Sequence, residues 1–227
     1  MDVTCDFEVK RGGFTLRADP TVPTGTTLAL IGPSGAGKSL FLGALCGFED
    51  VKGALAFGGQ SMHDVSPEKR PLSVMFQSHN LFPHLSVFDN VALGRNVGLK
   101  LNAQDRLDVE DALASVDLDG FSLRYPESLS GGQASRVALA RAVLRAQPIL
   151  LLDEPFSALG PRLRRDMLDM VMNLQRAKRL TLIYVTHDPT EANAASLTSF
   201  VNAGVVSAPQ NTQKLFDNPP QALADYL

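Results

Sequence analysis

The stretch Gly32-Pro33-Ser34-Gly35-Ala36-Gly37-Lys38-Ser39 constrains this chain more than any other. It fits G-x-x-x-x-G-K-[ST], a glycine loop that closes around phosphate. The apolar run at residues 26–31 predicts a buried strand before it. Residues 40–46 predict a helix after it. Strand, glycine loop and helix is the arrangement the chemistry needs. Gly32, Gly35 and Gly37 let the backbone approach phosphate oxygens at dihedrals other residues avoid. Pro33, Ser34 and Ala36 complete the cradle. The loop's N–H groups then point inward, and the following helix presents its positive end to the anion. Lys38 is expected to reach the β- and γ-phosphates of a nucleotide, and the Ser39 hydroxyl to bind Mg²⁺.

The chain has 227 residues, which suits one α/β domain with room for an inserted lobe. Hydrophobic residues at 44% and charged residues at 20% place it among globular chains. A net charge of −3 supplies no basic field for nucleic acid. Cys5 and Cys46 lie far apart with no CxxC pattern, which implies a reducing compartment rather than a disulfide framework. Residues 1–6 lack a basic region followed by an apolar run, so no secretory signal is expected. No apolar run approaches the ~20 residues of a membrane helix, so any membrane role is expected to run through a partner.

Segments 3–9 and 14–18 alternate and predict strands joined by a turn at residues 10–13. With residues 53–59 they are expected to form a small antiparallel sheet. Residues 72–76 predict a short apolar strand ending at Gln77, followed by a polar loop at 78–84. From 87 to about 125 the pattern is helical, with Asn102 capping a helix to about residue 116. Residues 87–145 are read as a helical lobe inserted in the α/β core. Leu129-Ser130-Gly131-Gly132-Gln133 opens a further helix to about 146. The run at 149–152 predicts a buried parallel strand. Pro161 suits the first turn of a helix to 178, and residues 181–185 predict another buried strand, ending at Thr186-His187-Asp188. Strands at 197–201 and 205–207 precede terminal helical pieces.

Asp153 and Glu154 stand at the end of the 149–152 strand, where parallel sheets place ligands. Asp153 is expected to hold Mg²⁺ through water, and Glu154 to polarise an attacking water. Gln77 would touch the metal and the water; His187 would donate to the γ-phosphate or orient Glu154. Taken singly, each signal is weak: a strand-end acid is ordinarily solvated, and a lone histidine is ordinarily structural. His63, His79 and His84 receive that plain reading, and their spacing supports no metal site. Ser130-Gly131-Gly132-Gln133 reads as a helix cap and also as a second anion surface. A single nucleotide can use both phosphate surfaces only if one belongs to another subunit.

These motifs stand in the order of the ATP-binding cassette family, which the chain resembles over nearly its whole length. Gly32 to Ser39 matches its Walker A loop, Gln77 its Q-loop, Leu129 to Gln133 its signature, Ile149 to Glu154 its Walker B strand, and His187 its switch histidine. The resemblance implies an α/β fold: a P-loop NTPase core with a mostly parallel sheet, an N-terminal antiparallel β subdomain and an inserted α-helical subdomain. It implies a head-to-tail homodimer with two ATP molecules and Mg²⁺ at the interface. The element order looks like the import branch. That implies an integral membrane permease as partner, a periplasmic substrate-binding protein met only indirectly, and a place on the cytoplasmic face of a bacterial inner membrane. Residues 69–87 are similar to thiamine and molybdate importer ATPases, and residues 94–102 look like the thiamine branch. Residues 14–25 look like the molybdate branch. The extra C-terminal β-rich domain typical of that branch is not seen. Thiamine is therefore expected, with molybdate or another small solute as the alternative.

Two departures from the family stand out. Ser157-Ala158-Leu159 is followed by Gly160 where the family usually has Asp, which bears on one cross-dimer contact and not on ATP binding. The family also often stacks adenine on an aromatic near the N-terminus; Phe14 is the nearest here, and it equally suits the core. A P-loop kinase would share Gly32 to Ser39 without using the signature. A DNA-repair ATPase would carry a long coiled coil in the intervening segment, which is too short and lacks heptads.

Overall fold

The computed structural model describes residues 1–157 and 159–227. Strand β1 (Val3–Arg11) pairs antiparallel with β2 (Phe14–Ala18). Lys10 still pairs with Thr15 and Arg11 with Phe14, so the turn is Gly12-Gly13 alone, tighter than the four residues expected. A two-residue hairpin loop matches the twist of its strands, and glycine permits it. Strand β3 (Thr21–Val22) pairs with the start of β1, and β4 (Thr27–Ile31) leads into the glycine loop and α1 (Lys38–Cys46). Strand β5 (Val51–Phe57) covers the other edge of β1, and β6 (Gln60–Ser61) pairs with β5. Strand β7 (Leu72–Met75) follows.

Between β7 and the next strand lie α2 (Val87–Ala92), α3 (Ala103–Ala114) and α4 (Gly131–Leu144), which pack on one another. This segment is less helical than its pattern predicts, because α2 is only six residues long. Helix α3 starts at a capping box between Asn102 and Asp105, as expected, and stops two residues early. Asp117 lies just beyond with φ at 55°, which no helix continues. The chain then gives β8 (Ile149–Asp153), α5 (Pro161–Lys178), β9 (Thr181–Thr186), α6 (Pro189–Ala192) and β10 (Leu197–Asn202). Strands β11 (Val205–Val206) and β12 (Gln210–Asn211) and helices α7 (Thr212–Asp217) and α8 (Gln221–Ala224) close it.

Among the described residues the strands form one 12-stranded sheet in the order β6-β5-β1-β2-β11-β10-β4-β9-β8-β7, with β3 and β12 off that path. From β10 to β7 all pairs are parallel. Strand β11 pairs parallel with β2 and antiparallel with β10, and so joins the antiparallel arm to the parallel core.

The central strands are apolar at nearly every position because both faces are covered. Side chains alternate between faces. Leu28 and Leu30 of β4, Leu151 of β8 and Ile183 of β9 pack toward α1. Ala29 and Ile31, Leu150 and Leu152, and Leu182 and Tyr184 pack toward α4 and α5. Each fully buried leucine or isoleucine contributes about 1.5–3 kcal/mol. This two-sided core fixes the sheet, and the sheet brings the carboxyl ends of β4, β7, β8 and β9 to one edge. No helix among the described residues is long and apolar enough to cross a membrane.

Candidate active site

At that edge the glycine loop leaves β4 and enters α1. Its close packing dictates glycine. A Cβ on Gly32 would lie 2.0 Å from the carbonyl oxygen of Val201 on β10. Gly37, with φ at 110°, caps α1, and a Cβ there would press on Leu16 and Phe14. The Lys38 side chain turns back over the loop. Its Nζ donates to the carbonyls of Gly32 (2.7 Å) and Pro33 (2.9 Å). Burial pushes the Lys38 pKa down, while Glu154 and Asp153 push it back up. The loop thus holds a desolvated cation beside uncapped helix N–H groups, which is the electrostatic form of an anion site.

The acidic strand end faces this cation. Ser39 Oγ donates to Asp153 Oδ1 at 3.4 Å. Burial raises the Asp153 carboxyl pKa, Ser39's bond lowers it, and Glu154 raises it further. Gln77, just past β7, donates from Nε2 to Glu154 Oε2 at 3.1 Å. The same oxygen lies 3.6 Å from His187 Nδ1, just past β9. Glu154 itself has φ at 45°, a strained backbone that a non-glycine residue holds only under constraint. Its N–H is held by the carbonyl of Val185 at 3.2 Å. One carboxylate oxygen is therefore shared between three strand ends. Beside these groups lies a cavity of about 490 Å³, lined by Ser34, Lys38, Ser39, Gln77, Glu154 and others. Phe14 and Arg11 of the first hairpin also line it, so Phe14 faces both this cavity and the core.

The signature residues are elsewhere. Ser130, Gly131, Gly132 and Gln133 do not line this cavity. They open α4 as a closed capping box: Gln133 N–H donates to Ser130 Oγ (3.3 Å), and Ser130 N–H donates to Gln133 Oε1 (2.9 Å). Ser130 and Gly131 are exposed. Gly160 is the N-cap of α5 and supplies no side-chain bond there, while Ala158 of the preceding motif lies outside the described residues.

Several residues in the site's frame carried no signal in the sequence. His79, read as structural or surface, bridges two motifs. Its Nδ1 lies 2.9 Å from the Gln77 carbonyl, and its Nε2 lies 2.6 Å from Ser135 Oγ on α4. Arg141 of α4 donates to the carbonyls of His79 (2.6 Å) and Asn80 (2.8 Å), so the Gln77 loop is tied to the signature helix. Arg164 of α5 donates to Asp188 Oδ2 at 2.8 Å and to the Leu159 carbonyl at 3.3 Å. That ties the segment after Glu154 to the His187 loop. Glu191, buried, accepts from Thr186 Oγ1 and lies 3.3 Å from Arg164 Nε. Asp188 also caps α6 through Thr190, a local role not assigned to it from the sequence.

A cation-bearing glycine loop, a parallel sheet edge and a strand-end acid pair define a nucleotide-hydrolysing enzyme of the P-loop class. A family profile described as ABC transporter matches residues 17–157. A thiamine import ATP-binding protein, ThiQ, of Cereibacter sphaeroides is 47% identical over 221 residues, 96% of this chain and 96% of that one. A protein of the same name from Jannaschia sp. is 50% identical over 189 residues, 82% of each chain. The dimeric post-hydrolysis structure of the ATP-binding cassette MJ0796, bound to ADP and Pi, matches with a TM-score of 0.80. Its identity is 25%, over 93% of this chain and 99% of that one. The chain belongs to the ABC transporter family, and its activity is that family's ATP hydrolysis.

Proposed function

We propose that this chain is the ATP-hydrolysing subunit of an importer for thiamine or its phosphates. The observation that carries the reading is 47% identity to a thiamine import ATP-binding protein, spread over 96% of both chains. Gly32 to Ser39 grips the phosphates, with Lys38 swinging from its own loop carbonyls to the β- and γ-oxygens. Ser39, Asp153 and Gln77 supply hard oxygen ligands, the donor chemistry that suits Mg²⁺. Ser39 Oγ and Asp153 Oδ1 already converge at 3.4 Å, and the desolvated Asp153 is ready to be paid by a cation's charge. Bound there, Mg²⁺ would neutralise charge on the phosphates. Glu154 accepts the proton of the attacking water, while Gln77 and His187 orient its carboxylate.

Ser130 to Gln133 act on the ATP held by a second copy of the chain. Two observations support this dimer: Ser130 and Gly131 are exposed and the signature does not line the Lys38 cavity, and the cassette MJ0796 is dimeric. Residues 87–145 form a lobe that moves with the Gln77 loop through His79 and Arg141. The same loop meets the permease. Phe82 is 46% exposed there, and its neighbour Leu81 packs inward. Contiguous exposed apolar surface marks partner sites, and Phe82 is the large apolar side chain that this loop offers to such a contact. The chain sits on the cytoplasmic face of the membrane through that permease, and a periplasmic binding protein meets the permease rather than this chain. Co-expression with its permease in vesicles tests the reading. ATP-dependent thiamine uptake is expected, lost with Phe82→Asp while ATP binding persists. Uptake of molybdate in place of thiamine would reassign the substrate.

A further inference from the structure

His187 has little to hold its side chain. Its imidazole is 54% exposed, and its Nδ1 lies 3.6 Å from Glu154 Oε2. Its backbone, by contrast, is clamped. The peptide between His187 and Asp188 donates its N–H to Thr186 Oγ1 at 3.0 Å. The carbonyl of the same peptide accepts from the hydroxyl of Tyr226, 39 residues further on, at 2.8 Å.

Tyr226 is well placed to act as an anchor. It follows α8, whose Leu223 is fully buried in the core. Its N–H donates to the Leu223 carbonyl at 3.0 Å, and its ring lies 6.0 Å from the ring of Phe200. Phe200 of β10 pairs with Ile31, the last residue before the glycine loop. The ring thus packs on β10, the strand paired with β4, which leads into the glycine loop and Lys38. Burial raises its pKa, and the charges of Glu154 and Asp188 raise it further, so it stays a protonated donor at neutral pH.

We propose that Tyr226 is a positioning residue for ATP hydrolysis: its hydroxyl fixes the His187 carbonyl and so keeps the imidazole against Glu154. A bond made to the backbone sets the direction of the side chain without occupying it, so the imidazole remains free to face the γ-phosphate. The idea rests on His187 acting in hydrolysis, and the test separates the two.

Tyr226→Phe removes one oxygen and keeps the ring against Phe200. The loss of one such hydrogen bond predicts a fall in kcat of about three- to tenfold, with KM for ATP unchanged. In a His187→Ala background, where the imidazole is gone, the same substitution is expected to change the residual rate no further. Equal factors in both backgrounds, or an unaltered kcat in the single variant, would overturn the proposal while leaving His187's role standing. Should His187→Ala alone keep full turnover, the reading of His187 fails and this one with it. Melting temperatures of all variants check that folding is intact. A Tyr226→Phe loss confined to stability or KM counts against the positioning role.

Discussion

Helices α1 and α4 both begin beside glycines, and their first turns are built in opposite ways. Helix α1 has Gly37 as N-cap, no side-chain cap and Lys38 at its first position. A cation there opposes the helix dipole, and a glycine N-cap forgoes about a few tenths of a kcal/mol relative to a capping side chain. Helix α4 starts at Ser130, with both arms of a capping box closed by Gln133. The first end is left open and lined with positive potential. The second is complete on its own, although it carries the residue types of an anion site. An open end is finished by its ligand. A closed and exposed end is complete without a ligand, and under the proposed dimer it is the surface that a second chain's nucleotide approaches.

The largest test acts opposite the open end. Glu154→Gln keeps the shape of the shared carboxylate and removes its basicity. Turnover is expected to fall ~10²–10⁴-fold while ATP binding persists, read by phosphate release and by nucleotide titration. A normal rate would remove Glu154 from the chemistry.

Mixing Lys38→Ala chains with Ser130→Arg chains sharpens the contrast itself. If each nucleotide spans one open end and one closed end of different chains, a mixed dimer holds one doubly damaged site and one intact site. ATPase activity should then exceed that of either variant alone. No gain over either variant alone would argue against composite sites.

Thermal stability separates the two ends without any turnover. ATP at 100 times its Kd should stabilise the protein by ~2.7 kcal/mol, and should not stabilise Lys38→Ala. Ser130→Ala should instead cost ~1 kcal/mol with no ligand present, because its cap already contributes to the fold. If Ser130→Ala costs nothing without ATP, the closed cap is not a structural element.

The smallest effect concerns the bridge between the two ends. Burial lowers the His79 pKa from its usual 6.5, against the Gln77 carbonyl, whose bond raises it. The unfolded chain therefore binds more protons than the folded one as pH falls through 6.5. His79's contribution is fully present above that pH and declines below it. Denaturant midpoints between pH 5 and 7 should show that slope, and His79→Gln should flatten it.

Much of this architecture was legible in order. The apolar runs that became β4, β8 and β9 read as strands buried on both faces because they are short, continuous and bounded by turn residues, and the glycine loop between β4 and α1 pointed to its ligand's chemistry. The caps at Asn102 and Ser130 were readable because a capping box closes within four residues. Helix ends and the length of α2 were less so, since tertiary packing overrides local propensity there.

What the sequence determined by itself was therefore local: the phosphate loop, the strand ends that carry Gln77, Asp153, Glu154 and His187, and the caps. Their meeting was decided by the sheet, which places β7, β8 and β9 side by side in parallel register. The contacts that no local pattern foretold join residues distant along the chain: His79 with Ser135, Arg164 with Asp188, and Tyr226 with His187. Each is one hydrogen bond or ion pair made by an ordinary polar side chain, to another side chain or, for Tyr226, to a backbone carbonyl. Only the packed core, by fixing α4, α5 and α8 against the sheet, brings them within reach.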